Sequence, residues 1–335
     1  MIIQKNLYNF FKRETVFSIA LILAVISCFF AKPSMDYINW DTIILLLAIM
    51  FVVEILRNLA VFEKLVRRLL VKVSDTRQLV LFLVFTCFFT SIFITNDVSL
   101  IIFVPFSILA LKKVKKSDLA VITVSLQTIA SNIGCMVLPI GAPHNIVMYT
   151  ISHIPFESFF LLLLPYIVVS AVFLMAVSLL IPKENIILSK MEKIDINRSD
   201  FFKKVFLGID YYLLLTFIAL FILIGNLESI SVFRAFFKQC IVGNEVLWGV
   251  ISSQIISNVP SAMLLSAFTT NYSSIIIGIN IGGLGTLIAS MANLISYKII
   301  VRSHPEFKIR YLMVFTVLNV VLLVILFSVY LAIPH

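Results

Sequence analysis

The chain has 335 residues, of which 61% are hydrophobic and only 13% charged, where a soluble domain carries about a quarter charged residues. Mean hydropathy is +1.10, so most of the mass belongs in a bilayer, whose spanning helices need about 20 apolar residues each. The net charge of +9 forms no basic stripe interleaved with aromatics, which argues against nucleic acid as a partner.

In chain order, Lys5, Lys12 and Arg13 precede an apolar run from Val16 to Phe30. The run has no clear small-x-small cleavage site after it, so it reads as an uncleaved first helix rather than a signal peptide. The expected spans are 15–31, 41–60, a long run at 78–111, 118–152, 157–182, 209–227, 244–270, 273–297 and 311–333. Three of these are interrupted by polar or Gly/Pro residues: 78–111, 118–152 and 244–270. The 34 residues of 78–111 exceed one crossing, because a straight helix of that length would run about 51 Å against a core of about 30 Å. Its two flanks are also both strongly basic. It is therefore expected to be a re-entrant hairpin, as is 244–270.

With the N-terminus in the cytoplasm, segments 1–14, 57–77, 112–116, 183–206 and 297–310 fall on the cytoplasmic side. They hold 23 of the 26 Lys and Arg residues, the asymmetry of the positive-inside rule. The expected fold is an all-α integral membrane protein of two inverted repeats, each with a re-entrant hairpin and a broken transmembrane helix. Its parts are an N-terminal helix (1–40), repeat 1 (41–182), a cytoplasmic linker (183–208) and repeat 2 (209–335).

The repeat is legible in short matches that keep their order. Asn132-Ile133-Gly134 recurs as Asn280-Ile281-Gly282, and a second Asn follows 13 positions later in each, Asn145 and Asn293. Thr95-Asn96-Asp97-Val98 and Ser257-Asn258-Val259-Pro260 interrupt the preceding hairpins. Before each hairpin lies a span ending in Asn-Leu, at 58–59 and 226–227, and an amphipathic stretch, at 61–73 and 229–242.

Intact membrane helices satisfy their own backbone groups and offer an ion nothing. Broken ones free carbonyl oxygens for cations and expose N–H groups and a positive dipole end to anions. Pro139 and Pro143 break the first helix, with Gly134 and Gly141 beside them. Gly282, Gly283 and Gly285, followed by Thr286, break the second. The bland reading of Gly278-x-x-x-Gly282 is a close helix contact. At the tips, Thr95, Asn96, Ser257 and Asn258 offer hydroxyl and carboxamide groups, or serve only as helix caps. Pro260 shapes the second tip. Asp97 is the one acid at a tip, and intramembrane acids are expensive and default to function; helix capping is the alternative. Asn96, Asp97 and Asn258 are the candidate Na+ ligands. His144 could relay protons. Glu54 and Arg57 read as a structural i,i+3 pair, and no Arg is expected near either break.

The cysteines (28, 87, 135, 240) form no C-x-x-C pair and imply neither a disulfide framework nor a zinc site. No H-E-x-x-H, P-loop or G-x-S-x-G motif is present, so the chain is not expected to be an enzyme.

At these residues the chain resembles the ion transporter superfamily, which includes arsenite permeases, sodium/proton antiporters, citrate carriers and divalent anion/sodium symporters. Ala130 through Gly134 and Pro139 through Asn145 look like its first unwound helix. Ile256 through Ala262 looks like its outward tip, and Thr95 through Val98 like the inward tip of the arsenite/antiporter branch. The resemblance implies cation-coupled (Na+ or H+) transport of a small anion, a carboxylate, citrate-like species or oxyanion, by elevator-like movement of this core in the cell membrane. Expected partners are the anion, Na+ or H+ and membrane lipid, with a homodimer left open. No cofactor is expected beyond bound Na+. The alternatives are a sodium/proton antiporter using Asp97, and an intramembrane enzyme or scaffold.

Overall fold

A computed structural model describes residues 15–59, 73–186 and 201–333. The chain folds as an all-α membrane protein, and no strand occurs among the described residues. The amphipathic stretch expected at 61–73 lies almost wholly outside them, whereas its counterpart is a helix, Ser231–Ile241. Four helical stretches are long and apolar enough to cross a bilayer: Thr76–Phe93, Phe156–Leu179, Phe201–Ser229 and Pro305–Ala332. Their outward faces carry bare Leu, Val, Ile and Phe side chains such as Leu161, Val172, Val317 and Val324, which suits lipid rather than water.

The first two helices are α1 (Thr15–Ser27) and α2 (Trp40–Asn58). The run at 78–111 is two helices, α3 (Thr76–Phe93) and α4 (Asn96–Lys113). Between them Ile94 and Thr95 are extended, which reverses the chain. Gln127 proves the reversal: its Nε2 donates both to Leu83 O, at 3.1 Å, and to Ser107 Oγ, at 2.7 Å. Those two residues lie 12 positions before and after Thr95, so they share a level only if α3 and α4 run antiparallel. Both feet also meet the same segment. Thr76 N donates to Glu184 O at 2.9 Å, Arg77 Nε to Ile181 O at 2.9 Å, and Lys116 pairs with the Glu184 carboxylate.

Next come α5 (Ala120–Gly134), a short 3-10 turn at Pro139–Gly141, α6 (Pro143–Ser152) and the long α7 (Phe156–Leu179). After α8 (Phe201–Gly208), α9 (Tyr211–Ser229) and the amphipathic α10 (Ser231–Ile241), the same order of elements returns. A hairpin, α11 (Glu245–Ile256) and α12 (Asn258–Ser266), reverses at Ser257 alone. Its feet are joined by Thr269 Oγ1 donating to Glu245 Oε1 at 3.0 Å. A helix broken between α13 (Tyr272–Gly282) and α14 (Met291–Ser303) follows, and α15 (Lys308–Ala332) ends the chain.

Each hairpin packs its first arm against the broken helix that follows it, and glycines allow the approach. A methyl at Gly134 would come within 2.1 Å of Phe88 O and 2.3 Å of Ser91 Oγ. One at Gly282 would come within 2.8 Å of Gly249 O and Ser253 Oγ. The contact reading of Gly278 and Gly282 therefore holds as well, since Gly278 lies equally close to Val246.

Buried apolar side chains gather in two clusters. The larger joins α3, α4, α5, α6, α7, α10, α11, α12, α13, α14 and α15. The smaller joins α1, α2 and α9 to Ile146 and Val147 of α6 and to Val259 and Met263 of α12. Each draws on both of the stretches 41–182 and 209–335. Because both feet of the α3–α4 hairpin meet at 181–186, a cysteine at Ser74 and one at Lys113 are expected to react with an impermeant maleimide from the same side of sealed vesicles. Labelling from opposite sides would contradict the hairpin.

Candidate functional site

The two broken helices and the first turn meet through carboxamides. Asn96 Nδ2 donates to Asn132 Oδ1 at 3.1 Å, and Asn132 Nδ2 donates to Asn293 Oδ1 at 2.8 Å. Ser290 Oγ adds a bond to Asn132 Oδ1 at 3.2 Å, and Ser131 Oγ donates to Asn96 O at 2.8 Å. In the other group, Asn280 Nδ2 donates to Asn145 Oδ1 at 2.7 Å and Asn145 Nδ2 returns a bond to Asn280 Oδ1 at 3.2 Å. His144 Nε2 also lies 3.2 Å from Asn280 Oδ1, which gives it a partner that the sequence did not reveal.

The two groups follow one rule. The first Asn of each break pairs with the second Asn of the other break: 132 with 293, and 280 with 145. The second Asn also reaches back to its own unwound loop. Asn145 Nδ2 donates to Cys135 O at 3.2 Å, and Asn293 Nδ2 to Gly283 O at 3.0 Å and Thr286 O at 2.9 Å. All four asparagines are at most 4% exposed. Buried carbonyls without water need such donors.

Gln254 was not singled out in the sequence, yet it ties down most of the second loop. Its Nε2 donates to Gly282 O at 2.8 Å and Leu284 O at 3.0 Å, and its Oε1 accepts from Thr286 N at 2.9 Å. Its only sequence signal was to be a polar residue three before the second tip. Thr286 is exposed, and its hydroxyl turns to Gln254 O. Gly285 sits at φ +101°, which only glycine adopts without strain. Pro139, Gly141 and Pro143 form the first loop, where a methyl on Gly141 would come within 2.6 Å of Cys135 O. Pro260 lies buried in the first turn of α12.

The tips do not act as ordinary caps. Helices α2, α3, α9 and α13 begin with Asn39, Asp75, Asp210 and Asn271, whose side chains accept a first-turn N–H. The helices that begin at the turns and breaks, α4, α6, α12 and α14, start from Thr95, Ala142, Ser257 and Ser290 without a cap bond from those side chains, as α5, α7, α10, α11 and α15 also do, although Asn96 Oδ1 accepts from Asp97 N at 3.0 Å. Uncapped N-termini present N–H groups and positive dipole ends. Asp97, in the first turn of α4, is not an N-cap either: its Oδ1 is buried and has no hydrogen-bond partner among the described residues. Asn258 is similarly underused, with one weak 3.5 Å contact from Ser257 Oγ. In the first group the carboxamide oxygens already accept from protein donors, so Asp97 is the free acceptor there.

A cavity of about 460 Å³ lies where α2, α4, α6, α9 and α14 come together. Thr95 and Asp97 of the first turn, Pro143 of α6 and Met291 of α14 line it, so three of the uncapped N-termini border it. Glu54 and Arg57 of α2 and Asp210 line it as well. The i,i+3 pair expected from sequence is present, with Arg57 Nη1 donating to Glu54 Oε1 at 3.0 Å. Against the expectation that no Arg lies near either break, Arg57 lines the same cavity as the first turn, Pro143 and Met291.

Two substitutions probe this geometry. Ser257 sits at φ 75°, ψ 154°, a region essentially reserved for glycine and costing about 1–3 kcal/mol. Ser257→Gly is expected to raise the unfolding temperature in detergent, whatever it does to activity. Gln254→Leu strands three backbone groups of the second loop and should destabilise the protein by about 2–3 kcal/mol, measured in the same assay.

A family model described as Citrate transporter matches residues 2–274. An uncharacterized transporter of Methanocaldococcus jannaschii is 30% identical over 312 residues, covering 84% of this chain and 87% of its own length. Inner membrane protein YbiR of Escherichia coli is 29% identical over 304 residues, covering 78% and 80%. With broken helices and uncapped half-helix ends around a cavity that carries charged residues, and with that match over most of its length, the chain belongs to the citrate transporter family and is a multi-pass membrane transporter, not an enzyme.

Proposed function

We propose that this protein is a secondary transporter that couples Na+ or H+ to the movement of a small anion, a carboxylate, citrate-like species or oxyanion. The observation that carries the reading is the set of uncapped helix N-termini bordering the cavity beside Asp97. Such ends hold an anion through backbone N–H groups. An unpaired carboxylate next to them suits a Na+ or a proton. A cation there cancels the charge that would otherwise repel the anion, which couples the two without any further device.

The two halves act as inverted repeats, with the α3–α4 and α11–α12 hairpins entering the membrane from opposite sides. The chain lies in the cell membrane with its N-terminus in the cytoplasm. The mesh of asparagines binds the hairpins and breaks into one body, and the smaller cluster built on α1, α2 and α9 serves as the frame against which that body moves. Such elevator-like movement would pass the cavity from one side to the other. Asn96, Asn132, Asn145, Asn280 and Asn293 hold the unwound loops in shape, while Asp97, Asn258 and the free N–H groups are the ligands.

One observation favours the alternative, a sodium/proton antiporter. Glu54, Asp97 and Asp210 all border the cavity, an acidic balance that suits cations. The test is uptake of radiolabelled citrate, succinate and sulfate into proteoliposomes under imposed sodium and proton gradients. Gradient-driven uptake of at least one anion is expected. Asp97→Asn should cut it by about tenfold or more and remove its dependence on the cation. Sodium flux coupled to protons, indifferent to every anion, would support the antiporter instead.

A further inference from the structure

The cavity has two unlike walls. One is α4 with the turn before it, which brings Thr95 and Asp97, and the other is α2, which brings Glu54 and Arg57. Among the described residues that line it, Arg57 is the only Lys or Arg. A guanidinium has five N–H donors. Nη1 of Arg57 donates to Glu54 Oε1 at 3.0 Å, and no other described side chain or carbonyl accepts from the group.

Glu54 cannot easily swing away. It is 6% exposed, its Oε2 accepts from Asn58 Nδ2 at 3.3 Å, and it presses on α8, where a methyl on Gly208 would lie 2.4 Å from Oε2. Burying an acid is costly unless it is paired. Here the acid is fixed in place and accepts from one nitrogen of the guanidinium, leaving the remaining donors of this cavity-lining residue without an acceptor among the described residues. A planar fork with free donors matches a carboxylate or oxyanion in two-point geometry, and a cavity of about 460 Å³ is of the size that holds a small organic ligand.

From this arrangement, and resting on the transport reading above, we infer that Arg57 binds the substrate anion as it enters the cavity, and that Glu54 is the residue that positions it. The anion then spans the walls, with one end on the guanidinium of the frame and the other at the helix N-termini of the moving body. Arg57 is left behind when that body moves, so its contact is made in one arrangement of the cavity only. Asp97 and Asp210 face the same space and repel an anion, so the cation binds before it.

The test is anion uptake in proteoliposomes, with half-saturation constants measured separately for citrate, succinate and sulfate and for the driving cation. Arg57→Gln alone would strand the buried Glu54 carboxylate, so the informative variants are the double Glu54→Gln/Arg57→Gln, Arg57→Lys and Glu54→Gln. The double variant is expected to raise the anion constant by about tenfold or more and to leave the cation constant unchanged. Arg57→Lys, which keeps the charge but loses the fork, should fall between the double variant and wild type. Glu54→Gln should raise the anion constant without lowering the maximal rate. If the double variant does not fold, Arg57→Lys decides. A wild-type anion constant in a folded double variant, or in Arg57→Lys when the double variant fails, overturns the inference while transport stands. If the wild-type protein takes up none of the three anions, the transport reading falls and this inference falls with it.

Discussion

A helix interrupted inside lipid leaves amides and carbonyls with no water to turn to, and each such group costs several kcal/mol if it stays unpaired. The core of this protein is arranged around that constraint. Two helices are broken, and their loose carbonyls are taken up by carboxamides: Asn145 at Cys135, Asn293 at Gly283 and Thr286, and Gln254 at Gly282 and Leu284. Asparagine suits the task because one side chain both donates and accepts. Asn132 and Asn280 use this to bind each break to the other, at Asn293 and Asn145.

The consequence is a body whose two unwound loops cannot relax independently. The N-cap residues of α4, α6, α12 and α14 make no side-chain cap bond, and Asp97 Oδ1 has no partner among the described residues. A protein interior normally leaves few such groups unmet. Here those of α4, α6 and α14 lie beside a cavity, where a ligand can reach them.

The cavity is bordered by Leu46, Ile49, Met50 and Ile146 of the smaller apolar cluster and by α4 and α14. The larger cluster packs tightly through glycines, as at Gly134 against Phe88 and at Gly249 against Gly278. The smaller cluster touches the core through a few side chains of α6 and α12. The charges of the cavity come from different helices, Asp97 from α4 and Glu54 and Arg57 from α2.

The apolar runs, the basic flanks and the surplus length of 78–111 already required a hairpin. The recurrence of Asn-Ile-Gly with a second Asn 13 positions on already marked both breaks, because low-complexity apolar sequence makes a spaced polar repeat conspicuous. What the sequence could not reveal was partnership. Asn132 meets Asn293 across 161 positions, His144 meets Asn280 across 136, and no local pattern encodes contacts between distant helices. Gln254 looked like an incidental polar residue until the second loop closed over it. Arg57, three residues from an acid, had every local mark of a self-contained pair. Only the packing of α2 against α8, which buries Glu54, and the closing of the fold around one cavity decided that Arg57 shares that cavity with Asp97, since distance along the chain says nothing about which residues a fold brings together.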